Sequence, residues 1–246
     1  MDELEDVPDH TVLWRYTDLA SLIWILTEQA LVFRSPQSFD DKFEGAWPEL
    51  AIETIHATVG PSHHHIFDGP LLKDIYVSCW HKFEEENHLM WKAYGPSSGV
   101  AIRTTAGAIR SALPPGFVRV RKIRYANFAT EQCWPGNPEE AVLRKRQEFS
   151  GEAEVRVLTG IGTKRSQSTL CRTVDRDRIA LSVDPAILIL EIVLSDQISF
   201  VKDGLEQILS SLGIAIPLRL STLSALPIRV SQKRDQTNAT GRLEGI

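Results

Sequence analysis

Leu13-Trp14-Arg15-Tyr16-Thr17, a helix, Leu31-Val32-Phe33-Arg34-Ser35-Pro36 and then Ser38-Phe39-Asp40-Asp41-Lys42-Phe43-Glu44-Gly45 make up the stretch that decides how this chain is read. The first five residues are aromatic and β-branched enough for a short strand. Thr17 is placed to cap the following helix, with Asp18 in its first turn, where negative charge suits the helix dipole. Leu19, Leu22, Ile23 and Leu26 recur at the spacing of one helical face. Leu31 to Phe33 returns as a strand, and Ser35-Pro36 ends it. Asp40, Asp41 and Glu44 then fall among Phe39, Phe43 and Trp47. Aromatics draw a segment inward while ionised carboxylates resist burial unless paired, so the mixture predicts the wall of a cleft. A polar strand end, a helix start and an acidic loop are thereby expected to meet at one pocket.

The strand and helix signals further along alternate without a regular rhythm, which predicts an α+β fold over 1–230 as a single domain, followed by a disordered polar tail over 231–246. Pro48 to Val59 reads as a helix stopped by Gly60, and Ile75 to Trp80 as a buried strand. Glu84-Glu85-Glu86 is expected in the first turn of a helix carrying Leu89, Met90, Trp91 and Tyr94. Gly99 to Thr104 is a further strand and Ala106 to Leu113 a short helix. Val118 to Tyr125 alternates, slips near Lys122 and resumes, a strand with a bulge and one strongly basic face. Asn137-Pro138-Glu139-Glu140 is a helix start, with Arg144, Lys145 and Arg146 expected largely on the outside. Residues 159–177 are expected as a loop or hairpin, Ile187 to Leu194 as a central strand, Asp203 to Leu212 as a helix closed by Gly213, and Ile214 to Leu220 as the last strand.

Composition bounds the function. The 246 residues carry a formal net charge of -5, which argues against a general polyanion binder while leaving local basic clusters free to contact phosphate. No apolar run has the length of a membrane span, and the acidic start is unlike a signal peptide, so a cytoplasmic location and no membrane partner are expected. Cys79, Cys133 and Cys171 are widely spaced and read as reduced thiols. Cys79 is expected as a small apolar filler, with nucleophilic use beside His81 or His88 the lesser reading. His63-His64-His65 invites a metal, but adjacent side chains diverge on an extended segment, and a solvated loop is the better account.

The chemistry-bearing pattern is Glu152-x-Glu154-x-Arg156, whose spacing of two puts three charged side chains on one strand face. Two adjacent glutamates repel unless a cation intervenes. The group is either a structural ion network or a catalytic glutamate held by an arginine at a pocket edge. Arg15 offers a planar fork suited to a diphosphate, and Tyr16 a ring able to stack on a base. Alternatively Tyr16 and Trp14 are core residues, and Arg15 pairs with Asp41 or Glu44.

Taken together, Trp14-Arg15-Tyr16-Thr17, Ser35-Pro36-x-x-Phe39-Asp40-Asp41-x-Phe43-Glu44, Ser78-Cys79-Trp80, Met90-Trp91-x-x-Tyr94 and Glu152-x-Glu154-x-Arg156 resemble a large bacterial family of unknown function, in the right order from about Leu13 to about Leu226. The chain departs from that pattern at Asp40 and Lys42, where asparagine and proline are common. The Arg15-Tyr16-Thr17 strand with its helix, and a late glutamate strand, also resemble the ADP-ribosyltransferase fold, including DNA-modifying toxins and RNA 2′-phosphotransferases. This second resemblance implies a split sheet with short flanking helices and NAD as substrate. It implies Glu154, Glu152 and Tyr16 as catalytic residues, with Arg15 on the diphosphate and Tyr16 or Trp80 on the nicotinamide. Thr17, Asp41, Glu44, Trp91 and Arg156 complete the expected binding set. A nucleic-acid or protein acceptor steered by Arg119 to Arg124, a toxin or phage-defence role and an inhibitory partner protein are implied by the same resemblance. Two other readings stand beside it. One is a magnesium-dependent nuclease or phosphodiesterase using Asp40, Asp41, Glu44 and one of the later glutamates, against which no lysine is expected beside the Glu152/Glu154 pair, Arg156 taking that place. The other is a non-catalytic module that binds a nucleotide or a partner protein.

Overall fold

A computed structural model describes residues 5–60, 74–94, 99–132, 137–160 and 169–223. The polar tail expected over 231–246, the three adjacent histidines and Cys133 lie outside the described residues. Strand β1 (Val12–Asp18) leads into helix α1 (Leu19–Glu28), and β2 (Ala30–Arg34) follows after Gln29. The helix cap falls one residue later than the sequence indicated: Asp18 accepts from the Ser21 amide at 2.7 Å, and Ile25 rather than Ile23 joins Leu22 and Leu26 in the core. Helix α2 (Glu49–Val59) and strand β3 (Tyr76–His81) come next. Helix α3 (His88–Tyr94) starts after the three glutamates rather than on them, because Asn87 Oδ1 takes the amides of Leu89 and Met90. That leaves Glu86 free to accept from Trp91 Nε1, Arg219 and Ser221.

Strand β4 (Gly99–Thr105) and α4 (Ala106–Ala112) are as expected. The slip near Lys122 is a true break: β5 (Arg119–Lys122) ends there and β6 (Arg124–Ala126) leaves for a separate two-stranded ribbon. Helix α5 (Pro138–Val142) is capped by Asn137 but lasts five residues, and Arg144 to Arg146 then form β7, parallel to β6. Arg144 and Lys145 are therefore buried, against the expectation that they face outward. A 3-10 turn precedes β8 (Glu154–Thr159), whose six residues are all buried. A hairpin of β9 (Cys171–Thr173) and β10 (Arg178–Ser182), a one-turn helix α6 (Pro185–Leu188), β11 (Glu191–Leu194), α7 (Lys202–Ser211) and β12 (Leu218–Leu220) follow among the described residues. The aliphatic run from Ile187 is thus strand only in its second half, its first two residues ending the turn that Asp184 caps and Pro185 opens.

The result is an α+β fold on one ten-stranded sheet, ordered β12-β11-β4-β1-β3-β2-β10-β9, with β8 and β5 branching from β3. The branch is the split. One edge of β3 pairs with β8 along all six residues. Its other edge meets β1 only at Trp14↔His81 and β2 only at Arg34↔Val77, which leaves Ser78, Cys79 and Trp80 without a ladder partner on that side. The main core fills one face of the branch with Leu13, Leu22, Phe33, Trp80, Val155 and Val157. A second cluster around Trp47, Val77, Val142 and Leu158 fills the other.

Gly160, just past β8, has φ +136, and a Cβ there would lie 1.9 Å from the Asp74 carbonyl oxygen. Both the backbone angle and the close approach require glycine. Gly160→Ala is expected to cost more than about 1 kcal/mol by separating the β8 and β3 ends, measured by denaturant unfolding.

Candidate active site

The acidic loop after β2, the split edge of β3, the end of β8 and the β7 strand enclose a cavity of about 530 Å³. Its size lies within the range typical of small-molecule sites. Arg15, Tyr16, Asp41, Glu44, Glu152, Glu154 and Arg156 all line it, so the early Arg-Tyr strand and the late acidic strand do meet. Thr17, Trp80 and Trp91 do not. Trp80 is fully buried in the main core and Trp91 packs edge-on against Tyr16 with its Nε1 bound to Glu86, so neither ring is presented to the cavity.

Arg156 is the anchor. Register places it opposite Cys79 on β3, and it is fully buried. Nε donates to Glu154 Oε1, Nη1 to the Val142 carbonyl and Nη2 to Glu44 Oε2, each at 2.7 Å. These contacts engage every nitrogen of the guanidinium. At the cavity wall it holds the two carboxylates and the Val142 carbonyl together.

Glu152 is not on the strand with Glu154. The 3-10 turn ends there, and Ala153 takes a left-handed conformation before β8 begins. The two side chains converge nonetheless, because Lys145 Nζ donates to Glu152 Oε2 at 2.7 Å and to Glu154 Oε2 at 2.8 Å. The absence of a lysine beside this pair, held against the nuclease reading, is thus overturned. Burial alone would raise the Glu154 pKa, yet Arg156 and Lys145 override it and hold the carboxyl well below the ordinary range. The same pairing pushes Lys145 above its usual value against the effect of burial. Glu154 has 2% of its side chain exposed and Glu152 15%, which makes Glu152 the more open of the two.

An aromatic wall faces the carboxylates. Tyr94 donates to Glu152 Oε1 at 3.2 Å, and its ring lies 5.3 Å from that of His81. His81 sits 6.1 Å from Tyr16, with Nδ1 2.9 Å from the Glu152 carbonyl. Burial lowers the His81 pKa and so favours neutral imidazole. The Tyr16 hydroxyl accepts from the Asn87 amide at 2.8 Å, and burial raises its pKa to about 12. Cys79 also lines the cavity, but burial drives its thiol far above the ordinary value, which opposes a nucleophilic role.

Charge is segregated within this lining. Lys145 and Arg156 are engaged by Glu44, Glu152 and Glu154, and Arg146 by Asp41. Arg15 and Arg34 have no carboxylate partner among the described residues. Arg15 donates to Ser78 Oγ at 2.6 Å and lies 5.8 Å from the Trp80 ring, so the expected pairing with Asp41 or Glu44 is absent. Burial lowers its pKa, and the neighbouring Arg34 charge adds to that effect. Arg34 donates to the Ser38 carbonyl at 3.1 Å. Sequence reading missed Arg34, Tyr94, His81 and Lys145. Arg34 carried a local signal as the charged end of a strand that enters the acidic loop, and Tyr94 and His81 stood beside motif residues, whereas Lys145 carried none.

Elsewhere the basic strand is neutralised. Arg121 pairs with Asp6 at 2.7 Å, Arg124 with Glu131 at 3.0 Å, Lys122 with Glu5 at 3.5 Å, and Arg119 with Glu139. Its use in steering an acceptor loses its basis. Among the described residues no group of three or more His, Cys, Asp or Glu is placed to hold a metal ion, and none of their helices is long and apolar enough to cross a membrane.

No protein-family model matches the chain, which gives the resemblance to a family of unknown function no support, and no curated protein matches it. Among solved structures, DarT of Thermus sp. 2.9 in complex with NAD+ is 14% identical over 87% of this chain and 96% of its own, with a TM-score of 0.42. The same protein with ADP-ribosylated ssDNA is 15% identical over 88% of this chain and 96% of its own, with a TM-score of 0.40. At TM-scores below 0.5 the likeness carries no functional conclusion.

Glu154 provides a stability test of the site. Its folded pKa is depressed, so its contribution is complete above the unfolded carboxyl value of about 4.3 and fades as pH falls towards the folded value. Glu154→Gln leaves Arg156 and Lys145 short of one buried counter-charge and is expected to cost about 3–5 kcal/mol near neutral pH. Denaturant unfolding should also show the variant losing less stability than the wild type as pH falls below about 4.3.

Proposed function

We propose that the protein consumes NAD, cleaving the bond between nicotinamide and ribose and passing ADP-ribose to an acceptor or to water. The observation that carries this reading is the pairing, in one cavity, of two arginines that lack carboxylate partners among the described residues with a fixed pair of glutamates. A diphosphate carries two negative charges, which Arg15 and Arg34 match with planar donor forks. With the diphosphate at that end, the nicotinamide ribose falls towards Glu152 and Glu154, and the nicotinamide ring towards the Tyr16, His81 and Tyr94 wall.

Chemically, the electron pair of the breaking bond leaves with the ring. The cationic pyridinium becomes neutral nicotinamide, and positive charge appears on the ribose as an oxocarbenium-like centre. Carboxylates held ionised next to that centre stabilise it more than they stabilise the ground state. The acceptor oxygen or nitrogen, or water, then attacks the ribose carbon and loses its proton. Glu154 is fixed at the cavity floor by Arg156 and Lys145, while the more open Glu152 is placed to meet the sugar. Tyr16 shapes the aromatic wall. A nucleic-acid or protein acceptor, a toxin or phage-defence role and an inhibitory partner belong to the same reading.

Nicotinamide release from NAD, followed chromatographically, tests it. Glu152→Gln is expected to lower the rate by about 100-fold with the fold retained. Arg15→Ala is expected to raise KM by about tenfold with a smaller effect on kcat, as loss of a ground-state phosphate contact should. Single-stranded DNA, present in ADP-ribosylated form in one of the DarT structures, is the first acceptor to supply. No release with any acceptor, from folded wild-type protein, would overturn the reading. Growth arrest on expression that Glu152→Gln relieves would support the toxin role.

A further inference from the structure

Lys145 lies at the centre of the acidic group. Its Nζ is 2.7 Å from Glu152, 2.8 Å from Glu154 and 3.6 Å from Glu44, and the side chain is 9% exposed. The β6–β7 ribbon puts it there. Tyr125 is opposite Lys145 in that ribbon, and its hydroxyl accepts from the Glu154 amide at 2.7 Å while Lys145 takes the Glu154 carboxylate. Neighbouring side chains of one short ribbon thus grip both ends of the same residue.

The other groups facing the two carboxylates do not supply this link. Arg156, from β8, contacts Glu154 and Glu44, and its remaining nitrogen is held by the Val142 carbonyl. His81 and Cys79 from β3, Tyr94 from α3, Tyr125 from β6 and Glu44 from the loop before α2 bring no positive charge, since His81 is kept neutral by burial. Three carboxylates consequently share two cations, and the only cation that touches Glu152 among the described residues is Lys145. Like-charged carboxylates at close range do not both stay ionised without one.

The geometry points to Lys145 as a positioning residue that bridges Glu152 and Glu154 through one ammonium and so holds two charged carboxylates together on the cavity wall. The role of those carboxylates in NAD cleavage rests on the reading above; the bridge itself does not.

The test compares the wild type with Lys145→Met, Lys145→Arg, Glu152→Gln and the double variant Lys145→Met/Glu152→Gln. The double variant loses one charge of each sign and keeps the net charge of the group. In thermal melts without NAD, Lys145→Met should lower Tm, and adding Glu152→Gln should recover at least about half of that loss, a coupling expected only of groups in contact. In nicotinamide release, the acid limb of the pH–rate profile should move upward by about one unit or more in Lys145→Met and return in Lys145→Arg. Additive Tm losses, or a Lys145→Met rate reduced equally at every pH, would overturn the bridge. Should Lys145→Met alone not fold, recovery of folding in the double variant is the same coupling, and its failure overturns the proposal. Absence of nicotinamide release from the wild type would sink the NAD reading and leave the Tm coupling to decide the bridge alone.

Discussion

A guanidinium cannot be buried cheaply, and the structure depends on how Arg156 meets that cost. Isolated in a medium of low polarity, such a charge is disfavoured by several kcal/mol even after relaxation. Arg156 escapes this because its donors reach Glu154 on its own strand, Glu44 on the loop after β2 and the last carbonyl of α5. Three segments, one of them 112 residues away in the chain, are thereby fixed to one atom group. The acidic loop cannot lift away without exposing Glu44's partner, nor can α5 shift without orphaning a buried donor. Hydrophobic packing around Trp47, Val77 and Leu158 supplies the driving force there, but it is non-directional, and the arginine adds the geometry.

The second constraint is topological. A continuous sheet would present closed ladders on both edges of β3 and leave no room at its centre. Here β1 and β2 each touch β3 at one residue pair and then diverge, so Ser78 to Trp80 face a gap. Arg15 enters that gap, bound to Ser78 and lying over Trp80. A cation so placed has lost water without gaining a carboxylate, which its lowered pKa records. The split thus creates the cavity and the unbalanced charge inside it together.

Local sequence rules made part of this legible. Strand β1, helix α1, β2 and the acidic-aromatic loop followed from periodicity, and the aromatic-acid mixture rightly marked a cleft wall. The Glu154–Arg156 contact followed from the two-residue period of a strand. What failed was whatever depended on where short segments go after they break. The basic run after Asn137 reads as the outer face of a helix, yet α5 stops after five residues and the chain pairs with β6, which turns Lys145 inward. Trp80 is no less plausible beside a ring than inside a core, and only the packing of Val155 and Val157 on its face decides for the core. The basic face of β5 was visible, but its acidic partners come from the N-terminal lead-in and from residues 131 and 139, contacts no local pattern encodes.

That last point bears on how the molecule treats anions. With β5 and β6 neutralised and a formal charge of -5 overall, the long-range field repels a generic polyanion rather than gathering it. Within the described site, the two arginines without carboxylate partners lie in the cavity, one of them buried enough to have its pKa lowered. Coulomb attraction strengthens as local polarity falls, which bears on the buried Arg15, whereas Arg34 stands at the exposed end of β2. Discrimination then comes from shape. In the proposed reading an anion enters the notch beside Ser78 while the rest of the ligand faces a wall of fixed carboxylates, and a compact dinucleotide whose positive charge sits beyond its phosphates would meet both conditions where a long phosphate chain would meet only the first.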